Sequence, residues 1–458
     1  MAIPLRKQCI FWLEKTKMKI TKFENDKLEE KTKEIEKTLP KEIDTTQFKP
    51  MSSQDLIKIL GLTIKRDEEN KLTSFLCQLS AYTADSQFNI SFNAPSSTGK
   101  SYIPTEIARL FPKKDVIEIG YCSPTAFFHE SGQYDEVKKC YVVDLARKIL
   151  IFLDQPHTQL LERLRPLLSH DKKEIKIKIT DKNQKSGLRT KNVILRGYPS
   201  VIFCTAGLRI DEQEATRFLL LSPETSQEKI REAVHEGIKK EANAAAYKQE
   251  LKEDPGRELL KQRIRAIKQE HIENINIYSA EKFEARFIEC TKLKPRSQRD
   301  VKRLMSLIKS LALLNLWFRE REGSTIIAND EDIEQAFKIW DVISESQELN
   351  LPPYILSLFK EVILVVWNEK NGQPADTEND FFPEPKNEVG LTRQDIINKH
   401  YQIYERYLAD WLLRQQIIPM LETSGLISQE PDPTDRRKML IYPTAAFVVK
   451  NNSELGVG

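Results

Sequence analysis

Glycine is scarce, at 15 of 458 residues, about half its usual ~7% share. A chain this poor in the most permissive residue is expected to be rich in helix, and any glycine-dependent ligand loop should stand out. Paired cysteines are also missing. Cys9, Cys77, Cys122, Cys140, Cys204 and Cys290 are scattered without a CxxC spacing, which argues for buried thiols in a reducing, cytoplasmic setting. Long apolar runs are absent too. Those near 149–153 and 362–367 fall short of the ~18 residues that span a bilayer, so no membrane anchor is expected. Charges at Arg6, Lys7, Glu14 and Lys15 interrupt the only apolar stretch near the N-terminus, and no secretion signal is expected. Nor does one sign of charge dominate: 71 basic and 68 acidic side chains leave +3. That balance excludes a histone-like binder or an acidic solvating chain, although it can hide a local patch. At roughly 150 residues per domain, the length suggests two to four domains.

Residues 1–50 are dominated by Lys and Glu and read as a charged helical arm, with almost no large apolar side chains over Glu24–Lys41. At Met51 the character changes. Ser52 and Ser53 are candidate N-caps, and Leu72, Phe75, Leu76 and Leu79 recur at helical spacing. Strand-like runs follow at Asn89–Asn93, Val116–Ile119, Ile149–Leu153, Val201–Cys204 and Phe218–Leu221, with helical patterns between them. This alternation predicts an α/β domain over 51–222 with a five-stranded, mostly parallel sheet. Glu174–Ile179 alternates Ile with Lys, Asn183–Gly187 supplies turn chemistry and Val193–Leu195 runs back, which predicts a β-hairpin. Residues 223–345 read as a helical lid with an inserted helical pair, and Asn371–Pro385 as a linker within 346–458. Two helices (Thr392–His400, Tyr404–Ser424) and a ribbon (Leu426–Gln429, Arg436–Tyr442) then suggest a winged helix, with Trp411 and Leu412 in its core.

The sharpest motif is Ala94-Pro95-Ser96-Ser97-Thr98-Gly99-Lys100-Ser101, after one strand run and before a helix. Backbone N–H groups of such a P-loop wrap phosphates, the Lys reaches the β/γ oxygens and the Ser hydroxyl holds Mg²⁺. ATP and Mg²⁺ are the cofactors this predicts. The apolar run Ile149–Leu153 ends in Asp154, a candidate second metal anchor (Walker B). Many ATPases carry Glu next, as general base; Gln155 can position water but cannot take its proton. His157 and Glu162 lie close in sequence but suit structural roles better. Thr205 ends the following strand run as a candidate sensor, and Arg217 lies between acidic residues 211–216 and a strand run, where an arginine finger fits.

The order of these parts resembles the AAA+ module of minichromosome-maintenance (MCM) helicases, particularly relatives in bacterial mobile elements, over residues 70–345. Arg217-Phe218 resembles that family's Ser-Arg-Phe motif, with Thr216 at the Ser position. The run Val301–Ile308 resembles the lid sequence bearing the sensor-2 arginine, which falls on Lys302, with Arg299 and Arg303 beside it. The resemblance implies a DNA-dependent ATPase that forms a homo-oligomeric ring, expected to be a hexamer, around single-stranded or duplex DNA, alongside a replication partner. Two departures are Gln155 and the lack of room in residues 1–70 for the family's N-terminal domain. In that family the pre-sensor hairpin grips DNA. Here residues 172–196 hold nine bases and two acids, 9 − 2 = +7, more than the whole chain's surplus. Lys182, Lys185, Arg189 and Lys191 are the candidate tip residues, and Arg436, Arg437 and Lys438 the candidate wing contacts. Three readings follow: an ATP-driven DNA motor, an ATP-gated DNA-binding switch or loader that Gln155 favours, and a scaffold with a vestigial loop.

Overall fold

The computed structural model describes residues 43–123, 133–181, 189–207, 216–289, 293, 296–372 and 389–444. It divides into two units, Met1–Phe48 and Lys49–Gly458. Of the first, only the end is described, where Asp44 Oδ1 accepts hydrogen bonds from the Thr46 amide (3.0 Å) and hydroxyl (2.6 Å). Of the arm expected over 1–50, residues 1–42 lie outside the described residues, and 43–50 form a turn and irregular chain with no helix.

The second unit begins with α1 (Ser53–Gly61). Ser52 caps it: its hydroxyl accepts from the Asp55 amide at 3.1 Å, and the Asp55 carboxylate reaches back to the Ser52 amide. In α2 (Glu68–Ser80) the predicted stripe Leu72, Phe75, Leu76 and Leu79 is buried. Then come β1 (Ile90–Asn93), α3 (Tyr102–Ala108), β2 (Val116–Ile119), β3 (Gln133–Asp135), β4 (Cys140–Asp144), β5 (Ile149–Phe152) and α4 (Thr158–Leu168). They are followed by β6 (Glu174–Asp181), β7 (Arg189–Arg196), β8 (Ser200–Thr205) and β9 (Leu219–Leu221). Strands β2-β5-β8-β1-β9 form one sheet in that order, and every pairing is parallel. These are the five strand runs read from the sequence. All four residues of β1 and β5, all six of β8 and all three of β9 are buried, as expected of a parallel sheet covered on both faces.

The predicted hairpin is present as β6 and β7, paired antiparallel from Glu174↔Arg196 to Asp181↔Arg189. It does not stand alone. Strand β4 pairs parallel with β7, and β3 antiparallel with β4, giving a second sheet in the order β3-β4-β7-β6.

After β9 come α5 (Gln227–Ala242), α6 (Ala244–Glu253) and α7 (Pro255–Glu270), in which Pro255 opens a helix at a position whose N–H needs no partner. The all-helical reading of this region needs correcting. β10 (Asn274–Ile277), α8 (Ala280–Glu289), α9 (Ser297–Leu314), β11 (Glu320–Glu322), β12 (Thr325–Ala328) and α10 (Asp330–Glu348) follow, with β10-β12-β11 forming a third sheet. One apolar cluster runs from α1 and α2 through β1 to α7, α9 and α10, so the five-stranded sheet and these helices share a core. Helix α10 also closes the sheet's edge: Gln347 Oε1 accepts from the Leu220 amide (3.0 Å) and its Nε2 donates to the Leu220 carbonyl (2.8 Å).

Helix α11 (Pro353–Asn371) belongs to the core of the C-terminal segment, with Phe359, Val362 and Ile363 packed with residues of α12 (Arg393–Tyr404) and of the helix that follows it. That helix, α13, runs from Asp410 to Thr423 and is π-helical over Leu413–Ile417. Strands β13 (Ile427–Pro431) and β14 (Met439–Pro443) form an antiparallel ribbon. Trp411 is 55% exposed, contrary to the expectation of a core position. The buried face of α13 carries Leu413, Ile417, Ile418 and Leu421, and Trp411 at the start of the helix points away from it. Leu412 is partly buried against the cluster. Arg436, Arg437 and Lys438 lie in the turn before β14, so they are not part of a basic strand; the Arg437 amide donates to Asp435 Oδ1 (3.2 Å) and Lys438 pairs with Asp435 at 3.7 Å. Among the described residues no single helix is long and apolar enough to cross a membrane.

Candidate functional site

Ala94 leaves β1 fully buried, and the loop then curls back on itself, with Ser97 (φ 66°) and Gly99 (φ 91°) in left-handed backbone. The curl brings the Lys100 ammonium to the Pro95 carbonyl at 2.7 Å, and the Thr98 hydroxyl donates to the same oxygen at 3.0 Å. Burial holds the Lys100 ammonium below its ordinary value; Arg406 pushes the same way, while Cys204 and Asp154 oppose it. Asp154 is therefore close enough to act electrostatically on Lys100. The neighbouring Cys204 Sγ lies 3.4 Å from the Lys100 carbonyl, and burial raises its thiol to about 12, so it packs as a neutral side chain.

Asp154 and Gln155 stand just beyond β5, and Thr205 ends the adjacent β8. The Gln155 backbone N–H donates to Asp154 Oδ1 (2.7 Å), and the Thr205 hydroxyl donates to Gln155 Oε1 (3.1 Å) and accepts from the Gly207 backbone N–H (3.0 Å). Three of the sequence-predicted residues thus meet at the ends of two neighbouring strands. A side chain at Gly207 would press within 3.1 Å of Gln155 Oε1, so glycine keeps this approach open. That oxygen keeps a second lone pair beside the Thr205 hydrogen bond, and the Gln155 side chain also carries two Nε2 donors. His157 is occupied elsewhere: its Nδ1 accepts from the Gln159 amide (3.2 Å) as the cap of α4.

Beside the loop opens a cavity of about 640 Å³, with Ile64, Thr98, Tyr102, Ile230, Tyr354 and Arg406 among its lining residues. The Tyr102 hydroxyl ties its wall to the Thr63 carbonyl (2.9 Å). Lys229, at the start of α5, pairs with buried Asp67 and reaches the Glu224 (2.9 Å) and Thr98 (3.4 Å) carbonyls, fastening α5 to the loop. Nothing in the sequence marks Lys229, and it marks Arg406 only as lying beside the wing and not for its contact with the loop, since each meets the loop through a contact distant in sequence. The two expected metal ligands, the Ser101 hydroxyl and the Asp154 carboxylate, are hard oxygens. One carboxylate plus phosphate oxygens would suit Mg²⁺, and among the described residues no group of three or more His, Cys, Asp or Glu is placed to hold a metal ion.

Arg217 and Lys302 do not reach this cavity. They line a second cleft of about 190 Å³ with Ser169, His170, Arg299 and Arg303. Arg217 Nε donates to Ser169 Oγ (2.8 Å). Arg303 is buried, donates to Asp300 Oδ1 (2.7 Å) and to the Thr216 carbonyl, and is pushed by burial to about 10. Arg299 contacts the Thr216 hydroxyl. Lys302 is exposed at the cleft. The acidic segment predicted before Arg217 lies largely at 208–215, outside the described residues.

Of the hairpin residues, Lys182 and Lys185 lie outside the described residues. Arg189 begins β7, and Lys191 lies within that strand, its ammonium 3.5 Å from the centroid of the Tyr141 ring of β4. Lys191 is therefore a sheet residue and not part of the tip.

A five-stranded parallel sheet with a Gly-Lys-Ser loop after β1, Asp154 and Gln155 just beyond β5 and Thr205 ending β8 defines an α/β architecture with these polar groups at one end of the sheet. No known family's sequence profile and no curated protein matches the chain. Among solved structures, a proposed ATPase of Cytophaga hutchinsonii is 12% identical with a TM-score of 0.32, over 66% of this chain and 91% of that one. A full-length MCM homolog from Methanopyrus kandleri is 13% identical with a TM-score of 0.39, over 67% of this chain; the match spans 64% of the homolog.

Proposed function

We propose that the chain is an MCM-like AAA+ ATPase, an ATP-driven DNA motor that works as a homo-oligomeric ring. The observation that carries this reading is the convergence of Lys100, Asp154, Gln155 and Thr205 at one end of the parallel sheet, beside a cavity large enough for a nucleoside. Residues Ala94–Ser101 bind the triphosphate, and Ser101 with Asp154 holds Mg²⁺, which supplies charge neutralisation at the phosphates. Gln155 and Thr205 orient the attacking water. Residues 51–222 act as the ATPase core and 223–345 as its lid, with the ribbon of 346–458 serving as the wing of a winged helix. Arg217 and Lys302 lie away from the P-loop cavity of their own chain, which suits action on a neighbour's γ-phosphate. Lys182, Lys185 and Arg189 of the basic hairpin take DNA phosphates, and Arg436–Lys438 add wing contacts.

The test is DNA-stimulated ATP turnover and strand displacement by the native chain, by Lys100→Ala and by a Lys185→Ala/Arg189→Ala double variant. Loss of turnover in the first variant and loss of DNA stimulation in the second are expected. Turnover indifferent to the hairpin would remove the DNA grip from the reading.

A second reading, an ATP-gated DNA-binding switch, draws on one observation: Gln155 stands where a general base is needed, with its oxygen engaged by Thr205. Stoichiometric ATP binding without turnover at any DNA concentration would select the switch. In the motor, Gln155→Glu keeps the Thr205 hydrogen bond and adds a base, so turnover is expected to hold or rise, by as much as ~10²-fold.

A further inference from the structure

Two cations meet at the mouth of the P-loop, and among the described residues neither makes a salt bridge, although Asp154 lies close enough to act on Lys100. Lys100 donates to the Pro95 carbonyl at 2.7 Å. Arg406 Nη2, from the connection between α12 and α13, donates to the next carbonyl along, that of Ser96, at 3.2 Å. These are neutral oxygens. Each cation has donors to spare, and Arg406, with five N–H groups, uses one of them. Their charges are close enough for Arg406 to push Lys100 towards its neutral form. Like charges held together over uncharged acceptors form a site whose interaction energy improves when a polyanion enters.

Arg406 is held in place from its own side. Glu405 takes left-handed backbone (φ 52°) at the end of α12, turning the chain towards the loop. The Arg406 carbonyl receives the buried His400 Nδ1 at 2.9 Å, and His400 Nε2 faces the Tyr354 hydroxyl at 3.5 Å. Tyr354 is itself anchored to the five-stranded sheet's edge, since its amide donates to Ser222 Oγ (3.0 Å), whose hydroxyl donates to the Asn93 carbonyl at the end of β1 (2.6 Å). Hydrogen bonds thus connect the strand that feeds the P-loop to the backbone of Arg406. The same residues, Tyr354, His400, Tyr404, Glu405 and Arg406, form one wall of the 640 Å³ cavity.

We propose that Arg406 is a phosphate-binding residue supplied to the P-loop of its own chain by the C-terminal segment, leaving the Ser96 carbonyl to grip the outer phosphates of a bound nucleoside triphosphate. This rests on the nucleotide reading of the cavity. The bound triphosphate then bridges the five-stranded sheet and the C-terminal segment. By linkage, a partner that draws the C-terminal segment away weakens nucleotide binding by the same factor by which nucleotide weakens that partner.

The experiment is titration of the full-length chain with Mg-ATP and with AMP by calorimetry, for the native protein, Arg406→Ala, Arg406→Lys and Lys100→Ala, with thermal midpoints recorded without nucleotide. Arg406→Ala is expected to lose tenfold or more in ATP affinity, about 1.4 kcal/mol, with AMP affinity and the unliganded midpoint unchanged. Arg406→Lys should recover part of the loss, as a point charge without the guanidinium fork. ATP affinity in Arg406→Ala equal to native, while Lys100→Ala loses binding, overturns the proposal and leaves the nucleotide reading standing. Equal losses for AMP and ATP overturn it as well, because they show that Arg406 shapes the cavity without touching the outer phosphates. Failure of the native chain to bind ATP removes the nucleotide reading, and this proposal with it.

Discussion

Ser97 holds φ 66° with a β-carbon in place, a conformation that costs an L-residue roughly 1–2 kcal/mol and glycine almost nothing. Glycine returns part of that gain through the greater freedom of the unfolded chain, roughly 0.5–1 kcal/mol. Ser97→Gly is therefore expected to raise unfolding stability by roughly 0.5–1 kcal/mol, read by urea denaturation without nucleotide. A loss instead would show that the Ser97 hydroxyl serves the loop. His170, in the cleft with Arg217 and Lys302, gives a pH prediction. Burial depresses it to about 4; Lys302 acts in the same direction, while Asp85 and Asp171 oppose it, and its ring packs 4.5 Å from that of Tyr198. The unfolded chain therefore takes up this proton first as pH falls. The stabilisation is complete above about pH 6.5 and drains away between 6.5 and 4, by at most about 3 kcal/mol. His170→Gln should flatten stability against pH across that window, measured by denaturation at pH 7 and pH 5. At this scale Gly99-Lys100-Ser101 and Asp154 were legible because their chemistry is local: a loop, a strand end and fixed residue types. Arg406 was not, because 310 residues separate it from Ser96 and nothing near it in sequence marks the contact.

The strands of the five-stranded sheet could be read because a parallel sheet buries both faces, which turns each strand into an unbroken apolar run such as Ile149–Phe152. The smaller sheets lack that signature. Strand β3 is three residues, Gln-Tyr-Asp, and β11 is Glu-Arg-Glu, exposed throughout; their pairing comes from neighbours across the sheet. In β10, Asn-Ile-Asn-Ile does alternate, but four residues amid helical patterns were too few to register. The edge of β9 depends on a side chain. Gln347 is fully buried and satisfies both the N–H and the C=O of Leu220. Gln347→Ala leaves both groups unpaired, at a cost of about 1–3 kcal/mol each before relaxation or water entry. Denaturant unfolding should move to lower midpoint by about 2–4 kcal/mol overall, and a shift within error would mean that water replaces the amide.

For the whole molecule, the two clefts set the form of the test. The P-loop cavity and the Arg217–Lys302 cleft have no lining residue in common, so under the proposed ring one copy supplies the loop and another the arginine. Lys100→Ala and Arg217→Ala should each be inactive alone. Mixed, they should regain a fraction of native turnover, because some interfaces then pair an intact loop with an intact arginine. No recovery on mixing, with oligomers formed, would place Arg217 in a structural role within its own chain.

The four-stranded sheet that carries the basic hairpin has a mechanical consequence. Eight-residue strands extend about 27 Å, and a two-stranded ribbon of that length twists and bends readily. Joined edge to edge with β3 and β4, and backed by Leu160, Leu164 and Leu167 of α4 against Val193 and Leu195, the base of the hairpin becomes a stiffened plate. A displacement passed along α4 would move that base, where β4 pairs with residues 193–196 of β7, as one body and with little flexure.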